Sequence, residues 1–262
     1  MNISRYGITK VENDLNINEE EIKRLGYTVI DSGINVQDLK SMRDELIDLH
    51  GEYIEFYGAE FIHSIGEHNG IRMPLSMSET FLKLAFNDVL ISFVDKVLDN
   101  NYILNQQNAV INPASQDYNQ AAWHRDLPYQ HVVFSRPIAI NALFCLDDFT
   151  SQNGSTIVIP GSHQFENFPS DEFVNRHALK VEAKAGSFIV LDCMTYHRGS
   201  FNSTQNSRCA INHVFTAPII QQQINMKSNI LNKYKLSKKQ ERILSFHSRN
   251  SETIERYLHS RR

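Results

Sequence analysis

Apolar residues at Val36, Leu39, Met42, Leu46, Leu49, Tyr53 and Phe56 recur in steps of three and four. That is the period of one helix face, so a long amphipathic helix is predicted over Val36–Tyr57. The same period runs through Phe81, Leu84, Leu90, Phe93, Val94 and Val97 and predicts a second helix over Ser78–Leu98. Glu79 falls early in it, where a carboxylate suits the positive end of the helix dipole. A shorter helix, Asn18–Arg24, takes Asn18 as its N-cap and Gly26 as its stop, and Tyr27–Asp31 follows as a short strand. Between the two long helices, Ile62–Ser76 is polar and glycine-containing, and reads as a loop carrying His63, His68 and Arg72.

From Tyr102 the texture changes to short runs rich in Val, Ile, Phe and Cys: Tyr102–Asn112, Pro137–Asp147, Thr156–Pro160, Ala178–Glu182, Ser187–Cys193 and Arg208–Thr216. Turn signals separate them, among them Asn112-Pro113, Asn153-Gly154, Pro160-Gly161 and Ala185-Gly186. Strands following a block of helices predict an α+β fold, the strands forming a sandwich or barrel with the helices packed outside. Ser187–Tyr196 and Arg208–Thr216 are expected to be antiparallel neighbours joined by the turn Arg198–Ser207. The tail Ile219–Arg262 reads as helical. It either covers the barrel or joins a dimer interface, so monomer and homodimer both stand.

The chain's 262 residues, 41% of them hydrophobic, suffice for one well-buried core with helical additions. No apolar run is long enough for a membrane span, and Met1–Tyr6 lacks the apolar centre of a signal peptide. A net charge of −4 gives no general attraction to nucleic acid, and the basic tail reads as a solvated helical face. The 3 cysteines, Cys145, Cys193 and Cys209, each lie in a strand-like run without paired spacing. Buried thiols in a reducing compartment, the cytoplasm, follow more naturally than disulfides or a thiolate zinc site.

The chemistry concentrates in Trp123-His124-Arg125-Asp126 and, far downstream, Tyr196-His197-Arg198. Two imidazoles and a carboxylate can hold Fe(II) on one face and leave the other open. Residues i and i+2 of a strand project to one side, which suits His-x-Asp. In a chain with 11 histidines this pair alone carries little weight. The order His-x-Asp, a β-rich stretch, His, then Arg208 at a short offset carries much more. A catalytic zinc would accept the same ligands. It would have no use for Arg208, whose guanidinium fork matches a carboxylate.

These residues resemble the phytanoyl-CoA dioxygenase family of Fe(II)/2-oxoglutarate oxygenases. The likeness extends to Asn153-Gly154-Ser155-Thr156-Ile157-Val158-Ile159-Pro160-Gly161-Ser162-His163, to the spacing from His197 to Arg208 with Asn202 and Thr204 inside it, and to the entry pattern Leu25–Asp31 before a helix. It spans roughly residues 18 to 217. It implies a double-stranded β-helix (a jelly-roll, cupin-like core) within one oxygenase domain over 1–262. Residues 1–100 would be helical support, 101–217 the barrel with the metal site and 218–262 a helical extension. It further implies His124, Asp126 and His197 as iron ligands, 2-oxoglutarate and O2 as co-substrates, and Arg208 as the anchor of the distal 2-oxoglutarate carboxylate. Halogenating members replace the carboxylate ligand with a small residue, so Asp126 points to oxygen transfer.

Further contacts are less determined. Leu104-Asn105-Gln106-Gln107-Asn108 places polar groups where an apolar barrel strand is expected, which a polar ligand would explain. Gln106 and Asn108 would share one face, Asn105 and Gln107 the other. Gln106, compared with relatives, and Asn141, which interrupts Ile138–Phe144, are candidate co-substrate contacts, against the alternative of a solvent-wetted edge strand. Relatives often carry Ser two residues after the distal His, where this chain has Gly199. Either Ser200 or Thr156 would then assist Arg208. His163 reads as structural or as part of the pocket rim. Arg72, Trp123, Arg125, Tyr129 and Arg198 are candidate substrate contacts, and their arginines suggest a small anionic or polar metabolite, hydroxylated as 2-oxoglutarate is converted to succinate and CO2. A cupin-like metal-binding sensor without turnover, and a non-redox isomerase or lyase, are the competing readings.

Overall fold

The computed structural model describes residues 16–116, 119–127, 132–246 and 253–259. Helix α1 (Ile17–Leu25) has its cap two residues earlier than expected, because Asn16 rather than Asn18 accepts the Glu19 amide. Asn18 reaches across instead, donating to Thr28 Oγ1 and the Val29 carbonyl of β1 (Tyr27–Asp31). Gly26 closes α1 at φ +79°, and a Cβ there would collide with Thr195 and His163. Both conformation and space therefore require glycine.

Helix α2 spans Val36–Tyr57 and buries Leu39, Met42 and Leu46. The ends of its apolar stripe, Val36 and Phe56, are more than 80% exposed, at 82% and 81%. The expected loop after it contains a short helix α3 (Ala59–Ser64) and a strand β2 (Gly70–Arg72). The expected single helix over Ser78–Leu98 is two, α4 (Glu79–Ala85) and α5 (Asp88–Val97). Asn87 causes the break: its side chain accepts the Leu90 amide as a cap and donates to the Ser32 carbonyl. A polar side chain competing for backbone partners thus overrides a continuous apolar period.

The remaining elements are β3 (Ile103–Asn112), β4 (Ala139–Cys145), β5 (Thr156–Val158), α6 (Asp171–His177), β6 (Leu179–Val181), β7 (Ser187–Asp192), β8 (His197–Gly199), β9 (Arg208–Thr216), α7 (Met226–Ile230), α8 (Lys238–Ile243) and α9 (Ile254–His259). The strands form two antiparallel sheets of a double-stranded β-helix, ordered β1-β7-β4-β9-β3-β2 and β6-β5-β8. The expected pairing of Ser187–Tyr196 with Arg208–Thr216 does not occur, because β4 lies between β7 and β9. After β7 the chain crosses to the smaller sheet, where β8 pairs with β5, before returning as β9. His197 and Arg208 consequently sit on opposing sheets.

The larger sheet has two unlike faces. Its outer face buries Ile140, Ala142, Phe144, Phe188, Val190, Ile211 and Phe215 against α2, α4 and α5. Met226, Ile230, Ile243 and Leu244 from the C-terminal tail join that same core, so the tail covers the sheet. The inner face, toward the smaller sheet, holds two separate apolar clusters. One is built around Cys145, Val158, Ile189, Leu191 and Ala210, the other around Leu127, Ala139, Cys193 and Val214. The polar side chains Asn141 and Asn212 fall between them along β4 and β9. All three cysteines are free and buried, and burial pushes the Cys145 and Cys209 thiols up to about 12 and about 11. Among the described residues no helix is long and apolar enough to cross a membrane.

Candidate metal centre

His124 and His197 meet across an isolated antiparallel bridge, each amide donating to the other's carbonyl at 3.0 and 3.1 Å. His124 is held by that bridge rather than within a regular strand, and Asp126 is fixed by its own amide donating to the Cys193 carbonyl. Tyr196, next to His197, donates its amide to Ser162 Oγ, while the Gly161 amide bonds the Leu25 carbonyl. The Pro160–His163 segment therefore ties the end of α1 to the approach of His197. His163 is part of that tie, its Nε2 lying 3.1 Å from the Lys23 carbonyl, and it stands apart from the three residues below.

Each imidazole has its Nδ1 against a main-chain carbonyl, His124 on Ala122 at 2.9 Å and His197 on Thr195 at 3.0 Å. A carbonyl only accepts, so Nδ1 carries the proton and Nε2 presents its lone pair. Burial, outweighing the adjacent Asp126 carboxylate, lowers the His197 pKa and favours the neutral ring. Asp126 Oδ1 lies 4.0 Å from His124 Nε2 and 3.6 Å from His197 Nε2. The other carboxylate oxygen, Oδ2, accepts from Asn141 Nδ2 at 2.8 Å. Three ligand atoms, all within 4.8 Å of one another, thus converge with tautomer and carboxylate orientation fixed from behind. Two neutral imidazole nitrogens and one carboxylate oxygen fit a divalent iron ion, with room for further ligands on the cavity side.

That cavity, about 70 Å³, is bounded by the three residues together with Asn141, Thr156, Leu191, Arg198, Arg208 and Asn212. Arg208 is 3% exposed; its Nη2 donates to the Gly154 carbonyl, and its guanidinium lies 4.0 Å from the Phe149 ring centre. Gly154 permits this at φ +88°, and a Cβ there would strike Asn112 and the Ser200 carbonyl. Ser200 turns away, donating to the Ser155 carbonyl at 2.8 Å. Thr156, opposite Gly199 in the β5–β8 register, is the hydroxyl-bearing residue that shares the cavity with Arg208.

A second cavity of about 230 Å³ opens on His124 and Asp126 and contains Gln106, Asn108, Arg72 and Glu67. Gln106 lies in this cavity and not in the one with Arg208. Gln106 and Asn108 share a face as expected, but a register shift between Leu104 and Gln106 separates Asn105 from Gln107. Asn105 consequently bonds the Gln221 carbonyl, whereas Gln107 points into the core and binds the Leu75 amide, the Phe81 carbonyl and His213 Nε2.

The arginines expected to attract an anion have other partners. Arg72 pairs with Glu67 through two contacts, and Arg198 lies over the Trp123 ring at 5.2 Å. Arg125 is 2% exposed, donates to the carbonyls of Ser162, Phe165 and Glu166, and covers the Tyr196 ring at 4.0 Å. It braces the loop after β5. Trp123 packs on Phe168, and Tyr129 lies outside the described residues. Asn212 was missed in the sequence. The signal was there, since alternation from Arg208 puts Asn212 on the same inward face.

A family model described as phytanoyl-CoA dioxygenase matches residues 22–210. An uncharacterized protein of Mycobacterium tuberculosis is 30% identical over 223 residues, covering 82% of this chain and 81% of that protein. Among solved structures, EctD from S. alaskensis with 2-oxoglutarate and 5-hydroxyectoine superposes with TM-score 0.65 at 21% identity, covering 80% of this chain and 79% of that one. HygX from Streptomyces hygroscopicus with iron bound gives TM-score 0.60 at 17% identity, covering 81% and 91%. At these identities the two structures speak to the fold.

Proposed function

The chain belongs to the phytanoyl-CoA dioxygenase family, and from that premise we propose that it is an Fe(II)/2-oxoglutarate-dependent oxygenase hydroxylating a small polar metabolite. One observation carries the reading: two Nε2 atoms and Asp126 Oδ1 converge in a cavity that also contains the buried Arg208. When bound, iron and 2-oxoglutarate would supply the oxidising chemistry, with one atom of O2 entering succinate, the other entering the substrate C–H bond, and CO2 leaving.

The chain's own residues would bind, orient and exclude water. His124, Asp126 and His197 would hold the metal, and the Asn141 bond to Oδ2 would keep Oδ1 turned toward it. Arg208 would pair with the distal 2-oxoglutarate carboxylate, with Thr156 beside it. Leu143 and Leu191 line the same cavity and would keep water from the reacting carbon. The buried, unreactive thiols suit work in the cytoplasm.

The test is anaerobic loading with Fe(II) and 2-oxoglutarate, followed by O2 and measurement of succinate, which forms slowly even without the prime substrate. Succinate that depends on both iron and O2 is expected. A chain that binds iron yet forms no succinate, alone or with any of a metabolite panel, would be read as a metal-binding sensor.

A further inference from the structure

The larger cavity beside His124 and Asp126 has an unusual chemical character. Six carboxamide side chains contribute to its wall: Asn69, Gln106, Asn108, Gln120, Asn212 and Gln223. A carboxamide both donates and accepts, and a hydroxyl has the same double capacity. Gln106 and Asn108 contact each other at 2.9 Å on the inward face of β3, and Asn108 also lies 3.3 Å from Arg72 Nη1. The charged groups of the wall do not call for a charged ligand, because Arg72 is paired with Glu67 and Arg125 is engaged by loop carbonyls.

A second observation bears on the ligand's polarity. Asn212 Oδ1 is buried without a protein hydrogen-bond partner, and Asn212 borders both cavities. Buried acceptors of this kind need a donor. 2-Oxoglutarate at neutral pH carries only acceptors and cannot supply one. A substrate bearing hydroxyl groups can.

We propose that the substrate is an uncharged polyhydroxylated compound, of the sugar or cyclitol class, bound by its hydroxyls to the carboxamide wall beside His124 and Asp126. This rests on the oxygenase reading above for its chemistry but not for its binding. A cavity of about 230 Å³ next to the ligand set accommodates a single ring of that kind.

The experiment uses the full chain with Mn(II) and 2-oxoglutarate under anaerobic conditions. The calorimetric probes are myo-inositol, methyl glucoside and N-acetylglucosamine, with glucose 6-phosphate and a short acyl-CoA as comparators. Under O2, the same probes are added to the Fe(II) form and succinate is measured. Binding by at least one neutral probe, weakened about tenfold or more in Asn108→Leu, is expected, together with faster succinate formation. Binding confined to the phosphorylated or thioester probe, or absent from the whole neutral set, overturns the proposal. Binding of a neutral probe by a chain that forms no succinate supports the proposal and sinks the oxygenase reading instead.

Discussion

Replacing Asn141 by Leu removes one hydrogen bond, 2.8 Å long, from the carboxylate oxygen of Asp126 that faces away from the two imidazoles. The side chains are close in volume, and Asn141 is 5% exposed, so the packing of the inner face is largely kept. A hydrogen bond to a charged group contributes about 1.5–3 kcal/mol. Loss of a residue that orients a ligand lowers metal affinity about 10–100-fold, which is about 1.4–2.7 kcal/mol. The two routes agree, so Fe(II) or Mn(II) should bind to Asn141→Leu about 10–100-fold more weakly in anaerobic calorimetry. Folding stability should change little, because the lost bond to the Asp126 carboxylate is offset by a gain of similar size. The substitution also deletes the buried Oδ1 that has no partner, and leucine fits between the two apolar clusters of the inner face. Weaker metal binding with a denaturation midpoint close to that of the parent is the expected pair. Metal affinity within twofold of the parent protein would refute the idea that Asn141 sets the carboxylate.

The remaining expectations concern the ligands, the co-substrate and the core. His124→Ala and His197→Ala should each abolish iron uptake measured by elemental analysis; full stoichiometry in both would remove the metal assignment. Arg208→Ala should weaken 2-oxoglutarate binding by about 2–5 kcal/mol while iron binding survives, with Arg208→Lys recovering only part, as read from the anaerobic charge-transfer absorption. An unchanged midpoint in Arg208→Ala would place the anchor elsewhere. His213, fully enclosed behind the sheet, has its pKa pushed down to about 4 by burial. Since the folded value lies below the unfolded one of about 6.5, its contribution is complete above pH 6.5 and is lost as pH falls toward 4, by about 3 kcal/mol. Urea denaturation across that window should show this loss in the parent and not in His213→Leu; parallel pH profiles would contradict it.

What the sequence revealed and what it concealed divide along physical lines. The long helix Val36–Tyr57 and the strand Arg208–Thr216 were legible to the residue, because periodic burial is written directly into local pattern. The split at Asn87 was not, since the apolar period continues through it and only a side-chain partner 55 residues away, the Ser32 carbonyl, makes the break favourable. Strand order was hidden for a related reason. From β6 to β9 consecutive strands alternate between the two sheets, and nothing local to Ser187–Thr216 says that β4 will enter between β7 and β9. The charges near the motif misled because an arginine's sequence position does not reveal its partner. Arg125 sits between two candidate ligands, yet serves the Ser162–Glu166 loop.

The inner face of the larger sheet explains why the polar residues there are tolerated. Ala139 and Val214 begin one apolar cluster and Cys145 and Ala210 belong to the other, with Asn141 and Asn212 in the gap. Extending either cluster through the gap would give a better-packed β-sandwich, since each buried amide without a partner costs about 1–3 kcal/mol. One half of Asn141 is offset by the Asp126 carboxylate; the other half, like Asn212 Oδ1, has no protein partner. The fold thus holds an unfavourable pair of acceptors within the cavity that contains the three candidate ligands and Arg208. A ligand that donates to Asn212, which borders both cavities, recovers part of that free energy on binding, so this buried acceptor becomes selectivity for a donor-bearing substrate. On this argument Asn212→Leu should stabilise the protein in urea denaturation while weakening the binding of any neutral polyol that the parent protein takes up. A variant that loses stability would mean that Asn212 is satisfied within the folded chain and contributes nothing to selection.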